Sequence, residues 1–171
     1  MGGAELLARA QPRRDLLTMW QRMWRAVGSW PGFTPVARSL VGLDRQLGRL
    51  TRGRVVALGM APSLMLITIG RRSGQPRSQP LLYLADGDDL VVIASNWGGE
   101  HHPAWSYNLR AEPRARVTLG GREIAVTARE VEGADRERLW RLIVEQWPGY
   151  RVYESRASHR QLRIYRLTPD S

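Results

Sequence analysis

The chain of 171 residues has no cysteine, no lysine and no long apolar run. Without cysteine there is no disulfide, no thiolate nucleophile and no cysteine-ligated metal or cluster, a composition suited to a reducing cytoplasm. No stretch approaches the roughly eighteen apolar residues of a spanning helix, and the residues after Met1 lack the uninterrupted apolar core of a signal peptide. The expectation is a cytoplasmic protein, soluble or at most peripheral at the inner face of the membrane. Repeats and low-complexity segments are missing too, and no general acid and base pair stands out; the isolated Asp and Glu residues read as turn and exposed-helix groups. His101 and His102 are adjacent, an arrangement that seldom aims two imidazoles at one ion, and no further ligand stands at the spacing a metal requires. No metal site is expected.

Lysine's absence bears on the charge. The net charge of +10 comes from 26 basic residues, every one of them arginine. Such a balance suits a phosphate backbone, but an all-arginine set looks as much like coding bias as like a binding patch. No basic strand is interleaved with aromatics, so nucleic acid is not an expected partner. The charge is also uneven: residues 1–60 hold ten arginines against Glu5, Asp15 and Asp44, which is +7 of the total. An anionic membrane surface or a long anionic cofactor suits that asymmetry.

The length fits one domain. Over residues 15–27, Leu16, Met19, Trp20, Met23, Trp24 and Val27 recur at three and four, the pattern of an amphipathic helix that covers a pocket mouth or touches lipid. Thr34 and Pro35 start a second helix that runs to about Leu50, so residues 1–54 read as a helical lead-in to a domain over residues 55–171. After Val55 the periodicity shifts toward two, with strands expected at 64–69, 77–85 and 90–95. The last two are joined by Asp86, Gly87 and Asp88. A second hairpin, 116–119 and 122–130, turns at Gly120 and Gly121. Helices are expected at 103–111, stopped before Pro113, and at 134–146, followed by a strand at 162–167. Many short antiparallel strands with few helices indicate a mainly β, α+β barrel.

Between the first two strands lies Gly70-Arg71-Arg72-Ser73-Gly74-Gln75-Pro76-Arg77, three guanidiniums on one glycine-bounded turn. Arginine forks match phosphate and carboxylate oxygens two bonds at a time, so the turn is a candidate polyanion site. Further on come Ala94-Ser95-Asn96-Trp97-Gly98-Gly99, then His101-His102-Pro103-Ala104-Trp105 and Asn108-Leu109-Arg110-Ala111-Glu112-Pro113, with Pro148-Gly149-Tyr150 near the end.

In order and spacing these motifs resemble the deazaflavin-dependent nitroreductase family, over roughly the last two thirds of the chain. The resemblance implies a split β-barrel of the FMN-binding, pyridoxamine-phosphate-oxidase-like kind, and an enzyme that passes hydride from reduced coenzyme F420 to a small hydrophobic acceptor: a quinone, an enone or a nitroaromatic. It places Arg71, Arg72, Ser73 and Arg77 on the phosphate and glutamate tail of the cofactor, and Ser78, Gln79, Pro80, Leu81 and Leu82 along the edge of its site. Ile93, Ala94, Ser95 and Asn96 fall against the deazaflavin ring, with Ser95 as the orienting hydroxyl. Ala104, Trp105, Ser106, Tyr107 and Asn108 match the cofactor-lining segment, Asn108 near the ring or ribityl region. Tyr150 falls at the cofactor and Tyr153 nearby on the acceptor side, which with Ser95 makes the catalytic set. Three positions depart from the family pattern. Asn96 stands where some members have lysine, and Leu82 and Trp147 stand where nitroreducing members can have tyrosine, which puts nitro reduction in doubt. Two other readings remain open: a non-catalytic F420-binding protein of this fold, and a barrel that binds FMN instead.

Overall fold

The computed structural model describes residues 62–170. The helices expected at 15–27 and 34–50, and the lead-in they form, lie outside the described residues. Within them the chain forms strands β1 (Ser63–Ile69), β2 (Pro76–Leu82), β3 (Leu84–Asp86), β4 (Asp89–Ala94), β5 (Arg114–Leu119), β6 (Arg122–Glu130) and β7 (Arg163–Pro169). Helix α1 (Ala104–Ala111) joins β4 to β5, and helices α2 (Gly133–Gln146) and α3 (Tyr150–Arg156) join β6 to β7. No described helix is long and apolar enough to cross a membrane.

All strand pairs are antiparallel, in the order β2-β1-β5-β6-β7-β4-β3. The two ends of that order, β2 and β3, are separated in the chain by Tyr83 alone. One residue cannot cross a flat sheet, so the sheet must curl until its edges meet. The result is a split β-barrel. This also corrects the single strand expected at 77–85: the segment pairs with β1 up to Leu82 and with β4 from Leu84, and it changes partner at Tyr83, whose N–H donates to Pro62 O (3.2 Å).

Alternation along the strands fills two cores. Leu90, Val92 and Ala94 point into the barrel with Leu64, Leu66, Val117, Val126, Tyr165 and Leu167, and α1 plugs it with Trp105 and Leu109. Val91, Ile93 and Ile164 point the other way, against Leu139, Ile143 and Val144 of α2, Trp147, and Tyr150 of α3. Burial on both faces explains why β4 is an almost unbroken apolar run. The Gly120-Gly121 turn has φ of 57° and 81°, the double left-handed geometry of a two-residue hairpin.

Helix α3 was not expected from the sequence. Its signal is present nonetheless: Tyr150, Tyr153 and Ala157 recur at three and four after Pro148-Gly149, and Tyr150 and Ala157 are buried. Arg138 and Arg166 bind Asp86, Asp89 and Asp135 at 2.7–3.0 Å, tying the β3–β4 hairpin to α2 and β7. Hydrogen bonds from Arg138, against the opposing cost of burial, and then from Arg166 pull the Asp86 carboxyl down to about 2.

Candidate functional site

The arginine turn is built by its own backbone. Gly70 N–H donates to Gln75 O (2.9 Å), while Ser73 and Gly74 N–H both donate to Gly70 O (3.1 and 2.7 Å). A Cβ on Gly70 would lie 2.7 Å from Ser73 Oγ and 3.2 Å from Gln75 O, so it would displace the Ser73 hydroxyl and press on the closed turn. Ser73 Oγ accepts from Arg77 Nη2 (3.3 Å). Helix α1 then fixes the turn in space: Arg71 N–H donates to Asn108 Oδ1 (3.1 Å), and Asn108 Nδ2 donates to Thr68 Oγ1 (3.0 Å). Asn108 is only 6% exposed, so both ends of its amide are committed within the protein. Arg71, Arg72 and Arg77 are exposed, and none of them enters an ion pair with a described carboxylate.

A second region forms where β4 ends. Ser95 is followed by a single turn, Asn96–Gly98, whose residues have φ of 48°, 57° and 74°. Asparagine tolerates the left-handed region and glycine prefers it, but for Trp97 it is strained, at a cost of about 1–3 kcal/mol. The turn lies on α3. Trp97 meets Tyr153 edge to face (5.6 Å between centroids), and Tyr153 meets Tyr150 in the same way (5.7 Å). Burial pushes the Tyr150 hydroxyl well above its usual range, with a further push from Tyr153, and burial likewise raises Tyr153. Both phenols stay protonated at neutral pH.

Four contacts join the two regions. The Arg71 guanidinium lies over the Tyr107 ring (5.1 Å), and Tyr107 meets His102 edge to face (6.0 Å). His102 Nδ1 accepts from Arg160 Nη1 (3.1 Å), and Arg160 Nη2 donates to Ser95 O (2.8 Å). Since arginine can only donate, Nδ1 carries no proton and the neutral ring is protonated at Nε2. Burial, then the charges of Arg163 and Arg160, lower the His102 pKa from 6.5 to about 4. The turn of arginines and the Ser95 turn therefore belong to one end of the barrel.

The remaining expected site residues divide by burial. Ser78, Gln79, Pro80, Leu81 and Leu82 are partly exposed along β2. Ala104 is exposed at the start of α1. The Ile93, Ala94 and Trp105 side chains are packed in the cores, so they could meet a ligand only through backbone or a small edge. Ser106 is fully buried, its hydroxyl shared between Tyr165 OH (3.2 Å) and Arg163 Nη1 (3.2 Å). Two guanidiniums lie over the Tyr107 ring, those of Arg71 and of Arg163 (5.2 Å). Sequence reasoning missed Arg160 and Arg163, because in a chain with 26 arginines neither carries a local signature.

An acid-stability profile follows from these pKa shifts. The unfolded chain protonates His102 near 6.5, whereas the folded protein resists until about 4, so stability is expected to fall as pH drops across that window. Asp86 adds a second loss from 3.8 down to about 2, where its depressed folded pKa is crossed. Urea midpoints measured from pH 7 to pH 3 check this. His102→Gln should flatten the upper window alone; an unchanged slope there would refute the half-buried neutral imidazole.

The family model of the F420H(2)-dependent quinone reductases matches residues 40–169. An F420H(2)-dependent quinone reductase of Mycobacterium tuberculosis (strain H37Rv) is 36% identical over 128 residues, 72% of this chain and 86% of the relative. Among solved structures, an F420-H2 dependent reductase, FDR-A, has a TM-score of 0.57 at 33% identity, over 62% of this chain and 93% of that one. A second solved structure, described as a domain-swapped dimer, has a TM-score of 0.60 at 30% identity, over 78% of this chain and 98% of that one.

Proposed function

The chain belongs to the F420H2-dependent quinone reductase family, and from that premise we propose that the joined arginine and Ser95 turns hold coenzyme F420 while a quinone is reduced beside α3. The enzyme is an F420H2-dependent oxidoreductase, as the family is. The donor set suits this cofactor: its tail is a chain of anions, and Arg71, Arg72 and Arg77 are exposed cations with no described carboxylate to neutralise them. That observation carries the proposal. FMN carries a single phosphate, a shorter run of anions than the F420 tail offers to three exposed guanidiniums.

When bound, the reduced deazaflavin supplies the hydride. What falls to this chain is holding, orienting and protonating. Arg71, Arg72, Ser73 and Arg77 grip the tail, with β2 from Ser78 to Leu82 along the site's edge. Ser95 offers its hydroxyl to the ring, Ile93, Ala94 and Asn96 shape that wall, and Ala104 and Tyr107 line the segment between turn and ring, with Trp105 and Ser106 packed beneath them. Asn108 acts one step back from the cofactor, by fixing Arg71 and Thr68. On the acceptor side a quinone that takes a hydride must also take a proton. The half-buried Tyr153 phenol, protonated at neutral pH, is the side chain placed to hand on that proton, with water replacing it, while Tyr150 packs behind its ring and fixes it.

Leu82 and Trp147 present no hydroxyl on this side, so a nitro group lacks donors there to orient it. With F420H2 oxidation followed by absorbance, a menadione-like quinone is expected to turn over faster than a bicyclic nitroimidazole. Faster nitroimidazole turnover would contradict the quinone assignment, and no turnover with any acceptor would favour a binding protein.

A further inference from the structure

We infer that Arg160 is a positioning residue, which holds the strained turn carrying Ser95 in the shape that cofactor binding and hydride transfer require. The guanidinium has five N–H donors, and each one finds an acceptor. Nε donates to Gly99 O (3.1 Å), Nη2 to Gly99 O and Ser95 O (both 2.8 Å), and Nη1 to Ala94 O (3.4 Å) and His102 Nδ1 (3.1 Å). Three of these acceptors are main-chain carbonyls that bracket the left-handed residues Asn96, Trp97 and Gly98.

A backbone strained at Trp97 persists only where its surroundings over-determine it. Of the turn's internal bonds, Gly98 N–H to Ser95 O (3.0 Å) shares its acceptor with Arg160, and Gly99 N–H to Asn96 O (2.8 Å) closes the turn between the carbonyls that Arg160 holds. Arg160 therefore closes the turn from outside at both ends. It does so without a carboxylate partner among the described residues, so its charge is spent on carbonyl dipoles and not on an ion pair. Lysine, a point charge with three donors on one nitrogen, cannot span Ala94, Ser95 and Gly99 together. Through His102 and Tyr107 the same side chain also sets the spacing between the Ser95 turn and the arginine turn.

The inference rests on the reading that the Ser95 turn faces F420, and the test separates the two. Arg160→Lys and Arg160→Gln are compared with the wild-type protein by amide hydrogen exchange without ligand, by F420 titration and by quinone-reductase kinetics. Exchange at Gly98 and Gly99 is expected to accelerate about tenfold or more as the turn opens locally, with the rest of the protein unchanged. F420 affinity and kcat should each fall about tenfold, a change of one decade in binding or barrier, while the quinone KM is unaffected. Millimolar guanidinium, below denaturing levels, should recover part of the loss in Arg160→Gln but not in a Ser95→Ala control.

Unaltered exchange and F420 affinity in Arg160→Lys would overturn the inference. So would collapse of the whole fold in both variants, because the effect is confined to the turn. Faster exchange in the variants together with no F420 binding by the wild-type protein would uphold the hold on the turn and overturn the cofactor reading.

Discussion

Gly98→Ala is expected to lower the unfolding free energy by roughly 2–5 kcal/mol, the sum of a left-handed penalty and an overpacking cost. At Gly98 φ is 74°, and an added Cβ would lie 2.7 Å from both Tyr153 O and Arg156 Cβ, with Tyr153 Cα at 3.1 Å. The Tyr153 carbonyl belongs to a helix backbone and cannot swing aside like the end of a side chain. The turn and α3 must separate. Gly87→Ala is the control: φ there is 63°, but a Cβ would meet nothing within 4 Å, so only the conformational penalty of about 1–2 kcal/mol applies. Urea denaturation of the two variants side by side decides it. Equal losses would mean that the Ser95 turn does not seat closely on α3. The same substitution should weaken F420 binding in the folded fraction, since the turn is displaced with its serine.

Much of the barrel was legible because strands declare themselves by alternation. Leu90, Val92 and Ala94 against Val91 and Ile93, and the paired glycines at 120 and 121, placed β4 and the β5–β6 hairpin within two residues of their observed ends. The break at Tyr83 was not legible: no proline or glycine marks it, and it arises only because the strand exchanges one partner for another as the barrel closes. Helix α3 was hidden by its brevity, since a seven-residue helix shows fewer than two turns of periodicity.

The site divides in the same way. Local motifs announced themselves: the arginine turn by its glycines, the Ser95 turn by Asn96-Trp97-Gly98-Gly99. What joins them did not. Arg160 lies 65 residues from Ser95 in the chain, and Asn108 lies 37 from Arg71. Contacts that depend on the closure of the whole barrel leave no spacing to read. Asn108 illustrates the shift this makes. It is expected near the ring or ribityl region, and the oxygen and the nitrogen of its buried amide each make a bond that holds the arginine turn and β1 to α1.

The arginine turn carries the second large effect. Hydrogen bonds to charged groups contribute about 1.5–3 kcal/mol each, and exposed cations fall toward the low end of that range. Arg72→Ala and Arg77→Ala are therefore each expected to weaken F420 binding by about 1.5 kcal/mol or slightly more at low ionic strength, roughly a tenfold or greater rise in Kd. Raising salt to 1 M cuts the screening length from about 10 Å at 0.1 M to about 3 Å, so the wild-type advantage should shrink with it. Neither variant should alter the Ser95 turn, which Arg160 and α3 hold independently. Their effect belongs to the tail alone.

The most direct measurement is a pair of titrations of the wild-type protein, one with long-tailed F420 and one with its tail-less deazaflavin precursor, at low and at high salt. F420 is expected to bind about tenfold or more tightly at low salt, with the gap narrowing as salt rises and narrowing again in Arg72→Ala and in Arg77→Ala. Equal affinity for the two forms at low salt would contradict the account, because the three unneutralised arginines would then have no anion to hold.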